Sequence, residues 1–102
     1  MPAPARATAA VIGRVDLLEE RGPGLGEPAV KRIKSSRHHN MKELRCGTKG
    51  AIRILFVFDP SRQAILLVGG EKAGRWTQWY ETNIATADRL YDEYLKETGQ
   101  DE

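Results

Sequence analysis

Cysteine is nearly absent from this chain: Cys46 stands alone among 102 residues, which excludes an internal disulfide and any cysteine-built zinc site. Its expected role is that of a small strand residue. Long apolar runs are missing too. The longest, Ala64–Val68, falls far below the roughly 20 residues that span a bilayer, and no charged-then-apolar leader pattern opens the chain. A cytoplasmic address with no membrane partner is the expectation. The only histidines, His38 and His39, are adjacent, so their side chains diverge, and no Cys/His/Asp set has the spacing of metal ligands. Gly69-Gly70 lacks the continuation that phosphate loops and dinucleotide folds require. Neither metal nor cofactor is expected, and no base accompanies a serine nucleophile. The length leaves room for one modest core, hence a single domain over 1–102, with 1–4 and 98–102 expected to be disordered.

Charge, by contrast, is plentiful and unevenly placed. The formal net charge is only +2, yet Val30–Arg53 carries eight Lys/Arg against Glu43 alone, a balance of +7, while Glu81–Glu102 carries −5. A cationic segment of this kind attracts a polyanion, with Lys/Arg contacts to phosphate supplying sequence-independent affinity.

The apolar spacing predicts a helix over Pro4–Glu20, built on Val11, Ile12, Val15 and Leu18 and stopped by Arg21–Gly24, "RGPG". Ala29–Lys34 reads as a short turn or helix. Strands are predicted at Met41–Cys46, Ala51–Phe58 and Ala64–Gly70, joined by a turn at Asp59–Gln63, and they form a three-strand antiparallel meander. A loop then leads to a last helix starting near Asn83 as N-cap, with Ala87, Leu90, Tyr91, Tyr94 and Leu95 as its stripe. The fold class is α+β, with the two helices packed on the sheet and one sheet face left partly open for a site.

Within "KELRCGTKGAIRILFVF" an arginine stands in each strand. A four-residue loop would send Arg45 and Arg53 to opposite faces. A three-residue loop, Thr48-Lys49-Gly50, with Gly50 in the left-handed position, pairs Arg45 with Arg53 instead, and this second register is the prediction. Like charges directly opposite one another destabilise a sheet, so the juxtaposition points to an anionic ligand. Guanidinium groups match phosphate oxygens in pairs, and a 2′-hydroxyl attacking its own phosphodiester needs stabilisation of growing negative charge more than an imported nucleophile. Arg45, Arg53 and Lys72 are accordingly the candidate catalytic residues. Lys42, His39, Arg75, Trp79 and Tyr80 are the candidate RNA-binding residues, with Trp76, Trp79 and Tyr80 able to stack on an unpaired base.

The segments "HHNMKELR", "IRILFVFDP" and "AILLVGGEKAG" and the Tyr-rich last helix resemble the RelE/HigB family of type II toxin–antitoxin toxins, in its phage-derived HigB-like branch, over roughly Arg6–Lys96. The resemblance implies a RelE-like α+β fold and a ribosome-dependent mRNA endonuclease. Its implied partners are mRNA on the ribosome and a cognate helix-turn-helix antitoxin. The family's basic residues match Arg45 in "ELR", Arg53 in "RILF" and Lys72 after the next strand. Members of the family open with a strand, whereas this chain begins at the first helix: either its true start lies upstream or it is a shortened relic, and loss of the strand would leave a free sheet edge able to self-associate. The alternative reading is a catalytically inactive, truncated relative that acts as a protein- or RNA-binding module.

Overall fold

The computed structural model describes residues 5–47, 50–71 and 76–100. In chain order they form α1 (Ala5–Arg21), a 3-10 turn (Gly22–Gly24), β1 (Val30–Arg32), β2 (Lys42–Cys46), β3 (Ile52–Phe58), β4 (Ala64–Glu71) and α2 (Trp76–Glu97). Helix α1 stops where Gly22 takes a left-handed conformation, φ +59°, followed by Pro23, a residue that cannot continue a helix. The strands lie in sequence order, β1-β2-β3-β4, and each pairs antiparallel with the next. The fold is thus α+β as predicted, with a fourth strand in addition to the meander.

That strand is β1, where a turn or helix was expected. Val30 pairs with Leu44 and is buried, while Lys31 and Arg32 are exposed. The backbone of β2 also binds just ahead of β1, where the Arg45 N–H donates to the Ala29 carbonyl at 2.8 Å. A buried β2 edge needs such partners, and this need overrides the local preference of a three-residue segment.

Both faces of β2 and β3 are covered. Leu18, Val11 and Val15 of α1 pack with Leu44, Cys46 and Phe56 on one face. Ile84, Ala87 and Tyr91 of α2 pack with Met41, Leu55 and Val57 on the other. The helices therefore sit on opposite faces, which corrects the expectation that they share one. The cause lies in "ILFVF": Leu55, Phe56 and Val57 are each fully buried, so both sides of the strand need cover. Cys46 is fully buried as well, and burial pushes its thiol pKa up.

Helix α2 begins seven residues before Asn83. Trp76, Trp79, Tyr80, Asn83 and Ile84 already follow helical spacing, and the Asn83 amide donates to the Trp79 carbonyl at 2.9 Å from inside the helix rather than capping it. The helix is tied to the segment ahead of β2. Ser36 donates to Asp88, the Arg37 N–H donates to the second Asp88 oxygen at 3.0 Å, and Asp92 holds both Arg37 and His38. Asp92 is kept below the usual carboxylate range, chiefly by the Arg37 hydrogen bond. Thr98 and Gln100 close the helix through bonds to the Tyr94 and Leu95 carbonyls, so 98–100, expected to be disordered, are placed; 1–4 and 101–102 lie outside the described residues. Among the described residues no helix is long and apolar enough to cross a membrane.

Candidate phosphate-binding site

The register of the central hairpin places Arg45 directly opposite Arg53, on the face covered by α2. Two glycines make this possible. Gly47 and Gly50 both have left-handed backbones, φ +76° and +66°, and the Gly50 N–H closes the turn on the Gly47 carbonyl at 3.3 Å. A Cβ on Gly50 would also press on the Arg45 side chain at 3.3 Å. Thr48 and Lys49 lie outside the described residues.

Each arginine is steadied by different chemistry. Arg45 directs Nε and a terminal nitrogen to one Glu43 oxygen, at 3.0 and 2.9 Å. Glu43 follows the two-residue period of the strand onto the same face and is only 2% exposed. Its other oxygen accepts from the Tyr80 hydroxyl, and the hydroxyl oxygen accepts from Arg53. Arg53 also donates Nε to the Gly50 carbonyl at 3.2 Å, and its guanidinium lies 4.3 Å from the centre of the Trp76 ring. One continuous chain, Arg45–Glu43–Tyr80–Arg53, thus joins the two cations through a carboxylate and a phenol. Two guanidiniums against one carboxylate leave the cluster with an excess of one positive charge.

These bonds do not exhaust the five N–H groups of each guanidinium, and both arginines are partly exposed. Burial opposes the Arg45 charge, but the hydrogen bond and charge of Glu43, with Tyr80, together outweigh it and raise the pKa. Burial, joined by the hydrogen bond to Glu43, raises the Tyr80 pKa despite the opposing effect of Arg53. Tyr80 is therefore a phenol at neutral pH, a donor of hydrogen bonds and not a base.

Helix α2 brings three aromatic residues to this end of the sheet. The rings of Trp76 and Trp79 meet edge to face at 5.3 Å, as do those of Trp79 and Tyr80. Trp79 lies against β4 at Gly70, the residue paired with Arg53. A Cβ on Gly70 would stand 2.3 Å from the indole nitrogen, so only glycine lets the ring approach this closely. Beside Arg45 a groove of about 430 Å³ runs toward β1, lined by Lys31, Arg32, Lys34, Ser35 and Tyr80.

The remaining predicted residues are distributed as follows. Lys42 points to the α1 face, its Nζ 5.6 Å from the centre of the Phe58 ring. His39 lines a separate cavity of about 600 Å³ with Arg37, His38, Asn40 and Asp59, at the opposite end of β2 and β3. Lys72 and Arg75 lie outside the described residues, although β4 ends at Glu71 opposite Ile52, at the arginine end of the sheet. Sequence reasoning counted Glu43 only as the lone acid of a basic run. Its signal was a carboxylate two residues from Arg45 on a strand face due for burial. Among the described residues no three side chains form a metal-binding group.

Residues 2–92 match the family described as phage-derived protein Gp49-like. The chain belongs to this family. Two relatives from Mycobacterium tuberculosis are similar to the Gp49-like chain. The first, described as "Putative toxin HigB2", is 55% identical over 87 residues, covering 83% of this chain and 43% of its own length. The second, "Putative toxin HigB3", is 57% identical over 90 residues, covering 87% of this chain and 77% of its own length. The chain therefore spans less than half of the first relative. The HigB likeness seen in "ELR" and "RILF" extends along most of the chain. No solved structure matches.

Proposed function

We propose that this chain is the toxin of a toxin–antitoxin pair and cleaves mRNA on the ribosome by intramolecular attack of a 2′-hydroxyl. The observation that carries the reading is the placement of Arg45 and Arg53 side by side, with unused N–H groups, beside a protonated tyrosine and two indoles. The guanidiniums bind the non-bridging oxygens of the scissile phosphate and stabilise the charge that grows on them. The 2′-hydroxyl gives up its proton to solvent water as its oxygen forms a bond to phosphorus, the bond to the 5′-oxygen breaks, and the departing oxygen takes up a proton. Tyr80 is the described residue suited to give that proton, and Lys72 is the third cation of the site. Trp76 and Trp79 offer ring surface to bases beside the cut, and Lys31 and Lys34 extend the positive track for the backbone. The partner is an antitoxin of the helix-turn-helix type, and the setting is the cytoplasm. The outer edge of β4, unpaired among the described residues and uncharged from Ala64 to Gly70, is where self-association would occur.

A second reading is a catalytically silent binding module. It is favoured by the hold of Glu43 on Arg45, which already engages one guanidinium.

Primer extension on translated mRNA after induced expression tests the first reading. New 5′ ends are expected on expression of this chain. Arg53→Ala should lower their rate of appearance about a hundredfold to a thousandfold, as loss of one transition-state donor does, while leaving antitoxin capture intact. Arg53→Lys should restore little, because an ammonium cannot reproduce the planar fork. Absence of new ends with antitoxin capture retained would establish the binding module instead.

A further inference from the structure

We propose that Glu43 is a positioning residue of the cleavage site, whose charge fixes the Arg45 fork and keeps the Tyr80 hydroxyl aimed between the two arginines. This rests on the nuclease reading above. A carboxylate that is 2% exposed on a central strand is a costly choice for a core position, since a leucine there would need no partners. Glu43 has both oxygens engaged: one by two nitrogens of Arg45, the other by Tyr80. Its cross-strand neighbours are Lys31 on β1 and Leu55 on β3.

The geometry has two effects on the reacting groups. Arg45, held through one edge of its guanidinium, presents the remaining nitrogens in one orientation. Tyr80 donates to Glu43 and accepts from Arg53, so its hydroxyl sits between both cations. The charges that face this hydroxyl are Glu43 and Arg45 from β2 and Arg53 from β3, while Lys31, Arg32 and Lys34 line the adjoining groove. Glu81 and Asp88 of α2 line a separate cavity with Tyr80, but the carboxylate bonded to the hydroxyl is Glu43. Its charge therefore holds the proton on Tyr80 against the surrounding cations.

Glu43→Gln separates charge from shape, because the amide keeps the volume and an oxygen for Tyr80. With this variant the cleavage kcat should fall at least tenfold while the KM for RNA is unchanged or lower, since the site gains net positive charge. The alkaline limb of the kcat profile should move to lower pH. The phenolate absorbance of Tyr80, assigned by difference from Tyr80→Phe, should move the same way. Equal losses in kcat and binding, or an unshifted pH profile, would overturn the proposal. Should Glu43→Gln fail to melt cooperatively, Glu43→Asp serves: it keeps the charge and should retain the wild-type pH profile at reduced kcat, and a shifted profile would overturn the proposal. If the wild type itself cleaves nothing, the nuclease reading fails, and the titration of Tyr80 in Glu43→Gln still decides whether Glu43 sets its proton.

Discussion

Gly70→Ala is the smallest change that should disturb the site without touching a charged group. The new methyl would lie 2.3, 2.7 and 2.9 Å from three atoms of the Trp79 indole. Carbon contacts are comfortable only from about 3.5 Å, so the ring must retreat by about 1 Å. Overpacking of this kind costs about 1–3 kcal/mol. For a domain of this size that is a fall of roughly 1–2 M in the urea midpoint, read by the fluorescence of Trp76 and Trp79. Gly69→Ala is the control, because its methyl meets nothing nearer than Ile54 Cγ1 at 3.7 Å and should stay within about 0.5 kcal/mol of wild type. Trimming the ring should relieve the clash. In the cycle with Trp79→Leu, the double variant should be more stable than the sum of the single effects by about 1–2 kcal/mol. Equal midpoints for the two alanine variants, or simple additivity in the cycle, would refute the claim that the indole is seated on Gly70.

Two further outcomes follow from buried groups. Asp59 accepts the Ser61 and Gln63 N–H groups at 2.9 Å each and the Tyr94 hydroxyl at 2.8 Å; burial works to raise its pKa, but these bonds outweigh burial and lower it. A depressed carboxylate stabilises the fold above its unfolded pKa of about 3.9 and loses that contribution as pH falls through its folded value. Asp59→Asn should therefore have a lower urea midpoint than wild type at neutral pH, with the gap closing under acid conditions. A gap independent of pH would contradict this. Cys46 should resist a thiol reagent in the native protein and react at the rate of global opening, since it is fully buried with a raised pKa. Fast labelling under native conditions would show that α1 does not cover β2 as described.

The register of the central hairpin was legible because Gly50 announces a left-handed turn and only one loop length brings the arginines together. The cover on both faces was legible in principle, since Leu55, Phe56 and Val57 are consecutive apolar residues, although the expected fold leaves one face partly open. Strand β1 was not legible. Three residues ending in Lys-Arg carry no period, and their pairing depends on an edge that closes only in three dimensions. The early start of α2 was hidden by Asn83, a common cap residue, although Trp76, Trp79 and Tyr80 already keep helical spacing with Ile84. For the site, the arginine pair could be derived from spacing, whereas Glu43 offered only its place two residues from Arg45 on the same strand face. A run of eight cations conceals the one acid that joins Arg45 to Tyr80, because a net charge does not say which groups touch. His39 and Lys42 sit in the same basic run but leave the site for a different cavity and a different face, a separation that only the strand geometry reveals.

The site is divided between two parts of the chain that meet late in sequence. Arg45, Arg53 and Glu43 belong to the hairpin, which can form from neighbouring residues alone. Trp76, Trp79 and Tyr80 arrive on α2, which is fastened partly through Ser36, Arg37 and His38 to Asp88 and Asp92. Lifting α2 would leave the hairpin with two facing guanidiniums, one carboxylate and no phenol between them. The docking of one helix thus acts as the assembly step of the site, and whatever loosens those two aspartates disarms it at a distance.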